Sequence, residues 1–258
     1  MPIGSRQRVG NRCRTVTAPP TLGPAADLFE GGTVPSPSAD SVVLVDALTG
    51  RSLDAVTLRA GLERCNRIVN RHARHLTRLD AVLGDGDHGD NLVIGLRAVD
   101  DLLAELPPST PPGEILQAVG HRLVAAVGGA SGPLYGTACI EAGFVAGRSD
   151  VVEGPDLALM FRAAAAGLAR RGRCQRGDKT ILDTLAPAAD AFAGAIDAGE
   201  TVTNAYAAAM RAGLAGMRST RGLIAQRGLA LRLGERSAGH LDPGAVSCLL
   251  LLSALGGR

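Results

Sequence analysis

The 258-residue chain has almost no aromatic side chains: Phe, Tyr and Trp together make up 2%, and Trp is absent. Without such rings it offers no stacking platforms for bases, and its net charge of +2 includes no block of like charge, so nucleic-acid binding is not expected. Cysteines are few and scattered. Cys13, Cys65, Cys139, Cys174 and Cys248 are odd in number and form no C-x-x-C pair, which argues against a disulfide framework and a zinc site and makes a reducing cytoplasm the expected location. No run of 18 apolar residues occurs, so no membrane span is expected. Clean alternation with β-branched enrichment is missing too, which leaves strands without a signal. What is present is a 46% hydrophobic content carried by Ala, Leu and Val, suited to closely approaching helices in one large domain.

Residues 1 to about 40 are rich in Pro, Gly, Ser, Thr and Arg, and no acidic residue precedes Asp27. The composition resembles an organelle transit peptide, but the segment has neither an amphipathic helix nor the apolar run of a secretory signal. It is read as a disordered extension before a domain over residues 41–258. From about Leu53 a helical period takes over, with Leu58, Leu62, Cys65, Val69 and Leu76 on one face. Further helices are expected at about 91–106, 113–128, 132–147, 155–171, 179–197, 201–221 and 242–255. Pro107-Pro108 and Pro111-Pro112 bracket a loop, Pro155 suits a first helical turn, and Asp242-Pro243 reads as a cap followed by a first turn. Short loops between eight helices predict antiparallel neighbours and an all-α fold.

The most informative stretch is Leu79–Gly95, L-D-A-V-L-G-D-G-D-H-G-D-N-L-V-I-G, in which Asp80, Asp85, Asp87 and Asp90 are spaced by glycines. Unit charges about 4 Å apart repel by roughly 4 kcal/mol at an effective dielectric of 20, so gathering these carboxylates calls for a cation. Oxygen donors without thiolates suit a hard ion, and Mg²⁺ is commonly shared between a few carboxylates, phosphates and water. Gly84-Asp85-Gly86-Asp87-His88-Gly89 satisfies a dinucleotide G-x-G-x-x-G, but its aspartates would repel a pyrophosphate. A calcium loop starting at Asp85 fails because Gly89, Asp90 and Leu96 stand where a ligand, Gly and Glu are required. An acidic, solvated turn between two helices is the plainer alternative.

Three other junctions carry polar or glycine-rich signals. Gly128-Gly129-Ala130-Ser131-Gly132 precedes an apolar helix, where small residues would admit an anion to the helix's positive end or would serve helix packing. Gly172-Arg173-Cys174-Gln175-Arg176-Gly177-Asp178-Lys179-Thr180 approaches a P-loop, but Asp178 intervenes before the lysine and no strand precedes it. Lys179 is either a phosphate counter-charge or an ordinary surface lysine. The polar segment Leu233–Ala245 is the longest irregular stretch within the helical region, and such loops tend to be functional. His72, His75 and His240 show no ligand partner in sequence.

Four blocks in order, L-D-A-V-L-G-D-G-D-H-G-D-N, G-G-A-S-G-P-L-Y-G-T, G-D-K-T-I-L-D and L-G-E-R-S-A-G-H-L-D-P-G-A, resemble the nucleotide-binding L subunit, or C-terminal domain, of dihydroxyacetone kinases over about residues 46–255. The resemblance implies an eight-helix antiparallel up-and-down barrel holding ADP or ATP at one end through two Mg²⁺ ions. By it, Asp80, Asp85 and Asp87 match metal ligands, and His88 and Asn91 match nucleotide contacts. Ala130 and Ser131 match phosphate-side contacts, while Gly172, Ile181, Asp242 and Pro243 match residues around the nucleotide. It further implies a separate K subunit that binds dihydroxyacetone covalently through a histidine. In one branch of the family a phosphotransferase-system partner recharges bound ADP; in the other, ATP exchanges freely.

One departure stands out. The family commonly reads G-R-A-x-Y-L-G-E-R before the last helix, whereas here Leu229 replaces the arginine and Arg232 the tyrosine. Arg232 or Arg227 is then the candidate source of the missing charge. The leading reading is a kinase subunit. A non-catalytic nucleotide-binding regulatory module of the same fold is the alternative that Leu229 suggests, and a Mg-dependent phosphohydrolase lacks an identifiable base.

Overall fold

A computed structural model of the chain describes residues 52–257, so the expected N-terminal extension lies outside the described residues. The elements run β1 (Ser52–Asp54), α1 (Ala55–Leu83), α2 (His88–Glu105), α3 (Pro112–Ala126), α4 (Ser131–Ala146), β2 (Val151–Glu153), α5 (Gly154–Gly172), α6 (Leu182–Asp197), α7 (Val202–Ser219) and α8 (Pro243–Leu255). A 3₁₀ turn at Thr220–Gly222 and a kinked 3₁₀ segment at Leu229–Ser237 join α7 to α8. Each helix packs against the next in sequence, and α8 returns to α1. The result is a closed barrel of eight helices, joining the antiparallel all-α arrangement that the periodicity predicts with the barrel that the family resemblance implies.

Two arginines on α1 help to close it. Arg64 donates from Nε to the Ala254 carbonyl at 2.7 Å, and Arg59 donates from its terminal nitrogens to the Leu103 and Pro107 carbonyls, each at 2.7 Å. They cap the C-terminal ends of α8 and α2, where unpaired carbonyls favour a cation. The tightest neighbours, α3 and α4, touch through glycine: a Cβ on Gly120 would stand 2.6 Å from the Gly136 carbonyl oxygen, and one on Gly136 would stand 2.6 Å from that of Gly120. With so few rings the core is mainly Leu, Ala and Val. Phe161 stacks on Phe192 with centroids 4.8 Å apart, and Tyr206 meets both rings edge-on.

Three expectations need correction. A short antiparallel pair exists, with Leu53 opposite Val152, although three residues per strand leave no alternation to read. Helix α1 runs on to Leu83, so Asp80 belongs to its last turn rather than to the acidic loop. Helix α6 begins at Leu182 and not at 179, because Lys179 adopts a left-handed backbone (φ 63°) that a helix cannot include.

Candidate functional site

The acidic stretch is organised by Asp80, which is 9% exposed. Its Oδ2 accepts the backbone N–H groups of Gly86 and Asp87 at 3.0 Å and of His88 at 3.2 Å. One carboxylate at the end of α1 thus winds the loop around itself. The start of α2 is pressed so close to α1 that a Cβ on Gly89 would lie 2.1 Å from the Ala73 carbonyl oxygen. This winding brings Asp85 and Asp87, both exposed, next to Asp80, with one ligand oxygen from each within 4.8 Å of the others. Among the described residues this is the single group of three or more His, Cys, Asp or Glu side chains able to share an ion. Asp90 is exposed on α2 and is not part of it. An all-oxygen donor set of this kind fits a hard divalent cation, with Asp80 contributing the oxygen that the backbone leaves free.

The aspartates lie at one side of a cleft of about 800 Å³ at one end of the barrel. Its lining includes every residue that the family resemblance matches to the site, His88, Asn91, Ala130, Ser131, Gly172, Ile181, Asp242 and Pro243 beside Asp80, Asp85 and Asp87, together with Lys179 and Arg232; Asp90, His72, His75 and His240 do not line it. Opposite the acidic loop, α4 begins at Ser131 with no side-chain cap, so its first N–H groups are open to an anion. Buried His88 bridges the two sides, with Nδ1 3.0 Å from Ser131 Oγ and Nε2 2.8 Å from Ser247 Oγ. Burial lowers its pKa against the opposing pull of Asp80, Asp87 and a hydrogen bond to the Pro243 backbone.

The third wall shows two residues whose roles sequence reasoning missed. Asp183 accepts the N–H groups of Gly177 at 2.5 Å and Thr180 at 2.7 Å, and Asp178 accepts that of Gln175 at 3.0 Å. The P-loop-like segment is therefore wound on two buried carboxylates. The block G-D-K-T-I-L-D contains both of them; their spacing gave no sign that they serve the backbone. Lys179 is 2% exposed, and its ammonium donates to the carbonyls of Thr220 and His240. It ties this loop to the α7–α8 connection, which departs from the surface lysine that was one sequence alternative. Arg227 Nε donates to Asp178 Oδ2 at 3.1 Å. Arg227, Leu229 and the exposed Arg232 all line the cleft.

Asp242 caps α8, its Oδ2 accepting the Ala245 N–H at 2.7 Å. Burial pushes its carboxyl up to about 7, with Asp183 and Asp80 adding to the rise and the Ala245 N–H and Lys179 opposing it. An unfolded aspartate titrates near 3.9. Across the window from about pH 4 to 7 the folded chain keeps a proton that the unfolded chain has lost, so stability from this group falls as pH rises and levels off above about 7. Asp242→Asn keeps the cap acceptor and should flatten that slope in melting temperatures of the ligand-free chain measured from about pH 4 to 8. An unchanged slope would place the titration elsewhere.

Comparison with known proteins agrees with this geometry. Residues 82–257 match the DAK2 domain. The ADP-binding subunit DhaL of PEP-dependent dihydroxyacetone kinase 2 from Listeria innocua is 39% identical over 196 residues, covering 75% of this chain and 90% of the relative. The DhaL subunit of the Escherichia coli PEP-dependent enzyme is 35% identical over 204 residues, covering 79% and 97%. L-erythrulose 1-kinase of Mycolicibacterium smegmatis is 34% identical over 224 residues, covering 84% of this chain but 38% of the kinase. Among solved structures, the dihydroxyacetone kinase of C. freundii in complex with AMP-PNP and Mg²⁺ superposes with a TM-score of 0.60 at 23% identity. That match covers 87% of this chain and 38% of the kinase, a likeness of fold. With 68% of its length inside the family domain and near-full-length relatives above 30% identity, this chain belongs to the DAK2-domain family of dihydroxyacetone kinase L subunits.

Proposed function

We propose that this chain is the nucleotide-binding subunit of a kinase for dihydroxyacetone or a related small ketose, acting on substrate held by a separate K-type subunit. The observation that carries this reading is the three-aspartate cluster facing the uncapped start of α4 across one cleft. The relatives named as ADP-binding subunits support it, and the erythrulose kinases widen the acceptor class to small ketoses.

Asp80, Asp85 and Asp87 would hold Mg²⁺, which when bound supplies charge neutralisation and alignment across the phosphate oxygens of ADP or ATP. The α4 N-terminus at Ala130 and Ser131 receives phosphate oxygens through backbone N–H groups. Asn91, Gly172, Ile181, Asp242 and Pro243 shape the remaining walls. Lys179 adds positive potential to the cleft wall while two of its three ammonium protons are directed to carbonyls.

For the charge that Leu229 does not supply, the geometry favours Arg227 over Arg232. Both arginines are exposed, but Asp178 fixes Arg227 through Nε and leaves its terminal guanidinium nitrogens for the cleft. Arg227→Ala should weaken Mg-ADP binding by about tenfold or more, the range for one charge-assisted hydrogen bond, and Arg232→Ala by less than about threefold. Titration calorimetry with Mg-ADP tests both the site and the ranking. Absence of binding by the wild type would defeat the proposed function; the reverse order of the variants would transfer the role to Arg232.

A further inference from the structure

Several large apolar side chains stand open to solvent at the mouth of the cleft. Val82, in the last turn of α1, and Ile224, Leu229 and Leu231, in the α7–α8 connection, are each between 40% and 52% exposed. The connection reaches α1 through a small cluster of its own, in which Leu83 packs with Ala225, Ala230 and half-buried Leu233. Each of the four exposed side chains is next in sequence to a buried member of that cluster, so they border it on the outside. Leu83, Leu229 and Ala230 also line the cleft, which makes the apolar patch continuous with its rim. The buried members already join the connection to α1. Single exposed leucines are ordinary on a protein surface, but a contiguous apolar patch beside a functional cleft marks a contact site.

A row of positive charge leads away from this patch along α1. Arg67, Arg71, Arg74 and Arg78 are exposed and recur every three or four residues, which places them on one outward face over about 16 Å; Val82 is the next position in the series. Arg67 meets Glu63 at 4.0 Å, whereas Arg71, Arg74 and Arg78 form no ion pair among the described residues. Arg232 and Arg236 add exposed charge on the connection. An apolar centre edged by arginine is the usual anatomy of a protein–protein interface. A flat anionic bilayer fits less well. Helix α2, packed beside α1, exposes Asp90, Asp101 and Glu105 against Arg97, and a plane resting on the arginine row would meet these carboxylates too.

We propose that Val82, Ile224, Leu229 and Leu231, with the arginine row of α1, form the docking surface for the acceptor-holding subunit, which meets it with an apolar contact flanked by carboxylates. This rests on the nucleotide-subunit reading given above. A subunit that presents an acceptor to phosphates held beside Asp80, Asp85 and Asp87 must close over the cleft mouth, and Val82 lies only two residues beyond Asp80. Leu229 then has a use where the family carries an arginine: it anchors the partner at the rim while Arg227 supplies charge to the nucleotide. The arginine row steers a partner of opposite charge into place, so association weakens as salt rises.

The test follows dihydroxyacetone phosphate formation from ATP, Mg²⁺ and dihydroxyacetone at rising concentrations of a K-type subunit, beside calorimetry of the full chain with Mg-ADP. Arg71, Arg74 and Leu231 do not line the cleft. Leu231→Glu, and Arg71→Glu combined with Arg74→Glu, should therefore bind Mg-ADP as the wild type does and keep its kcat at saturating partner. Leu231→Glu should raise the apparent KM for the K-type subunit by about tenfold or more, and Leu231→Met should restore it. The double arginine variant should raise that KM by about fivefold at low salt and lose most of its salt dependence. An unchanged KM in both variants overturns the docking surface and leaves the nucleotide reading standing. A wild type that fails to load Mg-ADP, or loads it and gains no turnover from the K-type subunit, overturns that reading and the docking surface together. Two other results reassign the surface and overturn the proposal. One is phosphatidylserine-vesicle binding lost in the arginine variant with its KM unchanged; the other is a wild-type dimer in sedimentation that Leu231→Glu dissolves.

Discussion

Asp85→Asn is expected to abolish the stabilisation of this chain by Mg-ADP while leaving the ligand-free protein as stable as the wild type. A ligand at about a hundred times its dissociation constant stabilises the folded state by roughly 2.7 kcal/mol, which for a domain of this size raises the melting temperature by about 5 to 10 °C. That gain requires the three carboxylates to act together, since two of them with an amide are a poorer match to a hard divalent ion. The choice of residue matters. Asp80 also accepts three backbone N–H groups, so its substitution would unwind the loop and lower stability without any ligand. Asp85 is exposed, and replacing it relieves charge repulsion instead. Scanning fluorimetry with and without Mg-ADP measures both quantities. A full ligand-induced shift in Asp85→Asn would remove the metal assignment.

The contrast between Asp80 and Asp85 shows how far the sequence could be read. Helical period and proline punctuation located the helices because each buries one stripe of Leu, Val and Ala, a feature written locally at every third or fourth residue. The cleft residues were legible because four blocks carry them in a recognisable order, and the fold brings those blocks to one end of the barrel. The division of labour inside the blocks was not legible. Asp80, Asp178 and Asp183 look like their exposed neighbours in sequence, yet each is wound into its own loop as an acceptor of N–H groups. The sequence leaves Lys179 open between a phosphate counter-charge and a surface lysine, and gives no sign that its ammonium meets carbonyls from residues 41 and 61 positions away. Tyr135 and Ser247 are 112 positions apart, and only barrel closure brings them together. Such partnerships depend on tertiary placement, to which periodicity and composition are blind.

Purified alone and given ATP, Mg²⁺ and dihydroxyacetone, the chain is expected to form no dihydroxyacetone phosphate, and to do so once a K-type subunit is added. Two cavities among the described residues differ sharply in character. The cleft of about 800 Å³ is the size of a nucleotide site and opens on the aspartates, while the interior cavity of about 220 Å³ is lined almost wholly by apolar side chains such as Leu62, Leu96 and Leu252. A polar triose entering the interior would lose its hydrogen bonds to water without replacements, at a cost of roughly 1 to 3 kcal/mol per hydroxyl. Phosphoryl transfer draws much of its rate from holding acceptor and donor in near-attack alignment, and a subunit that binds only the nucleotide supplies half of that arrangement. The relatives fit this division: those matched over nearly their full length are named ADP-binding subunits, whereas the matched part of L-erythrulose 1-kinase is 38% of that protein. The assay couples product to a reductase and is run with and without the second subunit. Robust turnover by the isolated chain would place an acceptor pocket within it and end the two-component reading.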